Sequence, residues 1–181
     1  SKYKAQSREK HDAALLFDKG GRRDIWQALA NGGGAAVLAI PAGLAADTHT
    51  QLAFVAAMLG ALATVTADTW ATELGVLSNR PPVMVTTFKP VIPGTSGGVS
   101  AAGLAAALAG AVFIALIFVA FSPLFSALPL AQAVPLALAA IPGGVLGCLF
   151  DSYLGATAQA QYFSVRRNKP TEKAFESDGA S

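Results

Sequence analysis

Three carboxylates stand where carboxylates are costly. Asp68, Glu73 and Asp151 lie inside long, nearly uncharged stretches of a 181-residue chain that is 53% hydrophobic and 13% charged. A charge inside a membrane span costs roughly 2.5–3.5 kcal/mol on insertion scales, so such a group needs a partner or a task. Read as helix at 100° per residue, Ala67-Asp68-Thr69-Trp70-Ala71-Thr72-Glu73-Leu74-Gly75 gathers Asp68, Thr69, Thr72 and Glu73 into a polar arc of about 140°. In Asp151-Ser152-Tyr153-Leu154-Gly155-Ala156-Thr157-Ala158-Gln159, Asp151, Ser152, Gly155 and Gln159 share an arc of about 100°. On an earlier stretch Asp24, Gln27 and Asn31 fall within about 60°.

A different chemistry is written between residues 89 and 100. Lys89-Pro90-Val91-Ile92-Pro93-Gly94-Thr95-Ser96-Gly97-Gly98-Val99-Ser100 leads glycines into a helix start. Gly94, Gly97 and Gly98 allow amides to turn toward one point. The hydroxyls of Thr95, Ser96 and Ser100, the helix dipole and Lys89 would add to an anion site. The segment lacks the endings of a P-loop or a dinucleotide fingerprint. Carboxylates facing a phosphate-binding loop would repel the ligand unless a cation intervenes, and Mg²⁺ resolves the conflict by taking carboxylate and phosphate oxygens together. These residues therefore predict a Mg²⁺–nucleotide or pyrophosphate site.

The elements that must position these groups are membrane spans. A typical soluble domain carries roughly 25% charged residues, and here no charge at all occurs from Ala101 to Phe150. About 20 apolar residues cross a bilayer as helix, and four stretches qualify, at about 24–46, 50–78, 98–121 and 130–163. Pro135, Pro142 and the Gly143-Gly144 pair are expected to break or kink the fourth. The expectation is an all-α polytopic bundle with a basic juxtamembrane segment at 1–23, a membrane domain at 24–163 and a polar tail at 164–181. Alanine and glycine dominate the spans and suit close helix packing.

Of the 13 Lys and Arg residues, seven precede residue 24, four follow Phe163, and Arg80 and Lys89 lie on the loop between the second and third spans. Four spans put all of them on one side, which places both termini and the site in the cytosol. The basic residues sit in tails without aromatic interleaving, so no nucleic-acid partner is expected. His11, His49 and the single cysteine, Cys148, are scattered, so neither a zinc site nor a disulfide frame is written here. Cys148 and Trp70 read as packing residues, and Trp26, Tyr162 and Phe163 as an interfacial belt.

Four ordered motifs resemble one family. They are Gly21-Arg22-Arg23-Asp24 with Gln27-Ala28-Leu29-Ala30-Asn31-Gly32-Gly33, the Asp68–Gly75 motif, Gly94–Ser100, and Phe150-Asp151-Ser152-Tyr153-Leu154-Gly155-Ala156. The family is the polytopic membrane family filed as unknown-function domain ninety-two, which includes a plant phytyl-phosphate kinase. The resemblance implies a membrane-embedded kinase that transfers a phosphoryl group from a nucleoside triphosphate, CTP foremost, to an isoprenyl monophosphate with Mg²⁺. It is similar at a distance to membrane cytidylyltransferases and lipid kinases. On that reading Asp68, Glu73 and Asp151 are catalytic and bind the metal. Lys89, Gly94, Thr95, Ser96, Gly97, Gly98 and Ser100 hold phosphates, and Asn31, Thr72, Ser152 and Gln159 are further polar contacts. The acceptor's apolar tail is expected between the small-residue helices.

Family members carry spans before this chain's first residues and a last helix beyond its tail, so an excised part of a longer protein is expected. Two rivals stay open: a cation-coupled transporter, and a CTP-dependent nucleotidyltransferase acting on a lipid phosphate. A homo-oligomer also stays open.

Overall fold

The computed structural model describes residues 25–125, 128–159, 162–164 and 169–171. Asp24 and the juxtamembrane segment 1–23 lie outside them, as do the side chains of Trp26, Gln27, Tyr162 and Phe163. Among the described residues four helices form in chain order: α1 (Ile25–Leu44), α2 (Thr48–Gly75), α3 (Ala101–Phe125) and α4 (Leu130–Thr157). Three are long and apolar enough to cross a membrane by length and composition: Thr48–Gly75, Ala101–Pro123 and Leu130–Thr157. In α1 the shorter part Asn31–Leu44 is apolar.

A side chain marks the start of α2. Asp47 caps α2, its Oδ1 accepting from the Thr50 amide at 2.8 Å. That bond and the Thr50 hydroxyl hold the Asp47 carboxyl below its usual value. A lowered folded-state pKa contributes stability that is present above the unfolded-state value and lost as pH falls through the folded one. We expect thermal stability to decline as pH drops below about 4, and to decline less in Asp47→Asn, which retains a cap but does not titrate.

α4 runs unbroken through Pro135 and Pro142, so the expected break is not found. Where no water can replace a lost backbone bond, the helix is the remaining way to satisfy the other amides and carbonyls. It stops at Thr157, six residues short of the expected 163. Beyond it β3 (Tyr162–Ser164) pairs antiparallel with β4 (Lys169–Thr171). A second two-stranded sheet joins β1 (Val83–Met84) to β2 (Gly98–Val99), also antiparallel. These short sheets qualify the all-α expectation without changing the helical bundle.

Close approach explains the order of the bundle. Against α2, a Cβ built on Gly103 would stand 3.2 Å from the Ala71 carbonyl oxygen, and one on Gly110 3.0 Å from that of Thr66. As α2 is read backward α3 is read forward, so the two are antiparallel. Gly144 meets Ala63 and Gly147 meets Thr64, while Cys148 meets Asp68, so α4 runs parallel to α2. The core is correspondingly lean: Leu59, Ala63, Ala67, Ala107, Ala111, Ala140 and Cys148 are buried together. Between α2 and α3, Trp70 and Phe113 set their ring centroids 5.5 Å apart, which makes Trp70 the packing residue it was read to be. The C-terminal ends of α2 and α4, the N-terminus of α3 and the 76–100 connection therefore share one end of the bundle.

Candidate functional site

The buried face of α4 descends by steps of three and four through Ala133, Ala137, Ala140, Gly144 and Cys148. The same progression reaches Asp151 and Gly155 as the bundle opens. Asp151 is exposed and Asp68 half-buried, and the two carboxylates stand near enough to act on each other electrostatically. Cys148 Sγ lies 3.9 Å from Asp68 Oδ1 and feels both carboxylates. Cys148 is thus a neighbour of the acid pair as well as a buried filler. The three-and-four spacing from Cys148 to Asp151 was the signal that could have shown it.

Beside the pair an open depression of about 300 Å³ is lined by Asp151, Leu154, Gly155, Ala158 and Gln159. The glycine-bearing connection is seated on its rim. Ser96 Oγ donates to Gln159 Oε1 at 2.5 Å, and a Cβ on Gly155 would fall 2.6 Å from Ser96 Oγ. Gly97, at φ +80°, packs so closely on α4 that a Cβ would stand 2.5 Å from that of Ala156. The connection is fitted to α4 rather than hung beside it. Gly97→Ala, strained in backbone and blocked by Ala156, is expected to loosen that seat by about 1–3 kcal/mol. Faster chymotryptic cleavage after Phe88, relative to the unsubstituted protein, is the measurement that checks it.

Within this connection several predicted phosphate ligands have local partners. Thr95 Oγ1 donates to the Ile92 carbonyl at 2.7 Å, and the Gly98 amide to the Thr95 carbonyl. Ser100 Oγ accepts from the Gly103 amide at 3.0 Å and so caps α3. Gly94 takes φ 88° in the turn before Thr95. Lys89 sits on a hairpin turn beyond β1, its carbonyl accepting from the Met84 amide. No described contact joins Lys89 or Asn31 to the acid pair. Thr72 lies exposed one turn beyond Asp68, and Ser152 is half-buried beside Asp151.

Glu73 lies on the same helix as Asp68. Five residues past Asp68 it lies about 140° round the helix, and it is exposed. Among the described residues no group of three His, Cys, Asp or Glu side chains could hold a metal ion. Of the three predicted carboxylates, Asp68 and Asp151 come from different helices and influence each other electrostatically. Two carboxylates still fit Mg²⁺, which commonly takes one or two from protein and completes its octahedron with phosphate oxygens and water.

Comparison with known proteins places the chain in a family. The family model described as "Integral membrane protein DUF92" matches residues 1–180. The chain is similar to Protein PGR of Arabidopsis thaliana, at 38% identity over 91% of this chain and 62% of the relative. It is also similar to an uncharacterized membrane protein of Methanocaldococcus jannaschii, at 34% identity over 54% of this chain and 37% of the relative. The chain thus spans less than two thirds of the length of either relative. No solved structure matches it. With its match over nearly every residue, and three long apolar helices packed through glycine and alanine, the chain belongs to the DUF92 family of integral membrane proteins.

Proposed function

We propose that the chain forms the phosphoryl-transfer core of a membrane kinase that converts an isoprenyl monophosphate to the diphosphate at the expense of a nucleoside triphosphate, CTP foremost. The observation that carries the reading is that Asp68 and Asp151, from two different helices, lie within electrostatic range of each other beside an open depression at one end of a bundle whose helices otherwise carry only Glu73 as an acidic or basic charge. In this proposal that end faces the cytosol, where the nucleotide is. Asp68 and Asp151 would hold Mg²⁺, which when bound neutralises the phosphate oxygens and orients them.

The chain's own groups then have distinct work. Gln159 and Ser96, already joined, would lie along the phosphates at the rim, with the Gly97 backbone behind them. An oxygen of the acceptor monophosphate, anionic at neutral pH, attacks the γ-phosphorus. The new P–O bond forms as the bond to the β–γ bridging oxygen breaks, and the nucleoside diphosphate leaves with that oxygen. No general base is required.

The acceptor's tail also needs a place. At Gly103, Gly110, Gly144 and Gly147 the interfaces of α2, α3 and α4 are tight enough that an added Cβ would crowd its neighbour, which supports a place outside them. The tail would instead lie on the lipid-facing side of the depression, where Leu154 and the adjacent Phe150 are exposed at 42% and 61%.

The test is transfer of label by the full-length protein in detergent with Mg²⁺. Phytyl and longer prenyl monophosphates are offered with each γ-labelled nucleoside triphosphate. Label in a prenyl diphosphate, with nucleoside diphosphate released, is the expected result. Release of pyrophosphate instead would make it a nucleotidyltransferase, and no turnover with any nucleotide would overturn the reading.

A further inference from the structure

The connection between α2 and α3 carries a surface that the acid pair does not use. Val83 bridges to Pro90 on one side of β1, while β2 pairs on the other. Three extended segments thus make a small cap at the end of the bundle. The Val91 amide donates to the Pro82 carbonyl at 2.9 Å, and its side chain packs toward Gly98. With Val91 turned inward, the pleat turns its alternate neighbours outward. Pro90 and Ile92 are exposed, Ile92 at 51%. At the turn, Phe88 is 78% exposed and holds a left-handed backbone at φ 54°, which among the described residues only two glycines share. A ring with a Cβ is disfavoured there, and nothing within the described chain covers it.

We propose that this cap lies on the anionic surface of the bilayer that the helices cross. Phe88 and Ile92 would enter the boundary between headgroups and acyl chains, and Lys89 and Arg80 would pair with lipid phosphates. Three observations commit the surface to lipid. The cap is tethered at both ends to spans, to α2 at Gly75 and to α3 at Ala101, so the headgroup layer is within its reach. Its outward residues alternate apolar positions with an exposed cation, which matches acyl chains below and phosphates above. Arg80, fixed at the base by mutual hydrogen bonds between Ser78 Oγ and its own backbone, stands five residues beyond the end of the α2 span, at headgroup depth.

The experiment places tryptophan in the cap of the full-length protein. Phe88→Trp is made in a background of Trp26→Phe and Trp70→Phe and reconstituted into vesicles of phosphatidylcholine with phosphatidylglycerol. Lipids brominated near the headgroup end of the acyl chain should quench its emission, and aqueous acrylamide should quench it weakly. Ile92→Trp repeats the measurement should the first variant assemble poorly. Adding Arg80→Gln and Lys89→Gln should lower the ratio of inserted to detached cap by about fivefold per charge at low salt, with less effect in pure phosphatidylcholine. Strong acrylamide quenching without bromolipid quenching at both positions would overturn the proposal by placing the cap in water. Protection from both quenchers would overturn it in favour of a covering protein surface.

Discussion

Asp151→Asn in the full-length protein is expected to lower phosphoryl transfer by about 10²- to 10³-fold, the usual loss when one preorganised electrostatic group is removed from such a site, with the bundle still assembled. The side chain is exposed at the open end of α4, so asparagine replaces it without a cavity. Asp68→Asn should lose activity to a similar degree. Its effect on stability should run the other way, because removing one of two mutually repelling carboxylates relieves the fold. Both variants should also need more Mg²⁺ for half-maximal rate. The double variant should be little worse than either single one, since two ligands of one ion act as a unit. Transfer assays with a Mg²⁺ titration, beside thermal unfolding of the same samples, separate this from a structural pair. Unchanged transfer in both single variants would remove the acid pair from the mechanism.

The second large effect concerns two adjacent glycines that differ only in what lies beside them. At Gly144 a Cβ would meet Ala63 at 2.9 Å and Ala111 at 3.0 Å, whereas at Gly143 nothing lies within 4 Å. Gly144→Leu should push α4 away from both α2 and α3 and cost about 1–3 kcal/mol or more, as overpacking does. Gly143→Leu places its side chain on the open face and recovers helix propensity, so it should be neutral or stabilising by up to about 1 kcal/mol. Unfolding of each variant by titrated denaturing detergent reads the contrast directly. Equal behaviour of the two would mean that α4 does not meet its neighbours along this stripe.

Much of this was legible in the chain. The α2, α3 and α4 helices follow from apolar length alone, because a bilayer leaves few other conformations open to such stretches. Asp68 and Asp151 were conspicuous since almost nothing else in those stretches is charged. The arcs around them were less informative, because an arc states which half of a helix a residue occupies but not which helix lies opposite. Cys148 was left out although it follows the stripe leading to Asp151. The cap could not be read at all. Strands of two residues carry no periodicity, and of the glycines that looked suited to a ligand Gly98 pairs with β1 and Gly97 packs on α4. The end of α4 was placed late because no glycine, proline or charge marks a stop between Ala158 and Phe163, whereas the helix ends at Thr157.

The bond between Ser96 and Gln159 joins residues 63 positions apart. It closes the longest loop among the polar side-chain contacts of the acid end other than that of Cys148 with Asp68. Closing such loops is entropically slow and follows local helix formation. During synthesis α2 and its carboxylate are in place long before the partners from α4 exist, and the depression acquires its rim only after Gln159 has been made. The order of events runs opposite to the order of residues: the connection between α2 and α3 is translated early but settles last. A chain arrested within α4 would have its early helices and an unformed site, so competence arrives in one late step.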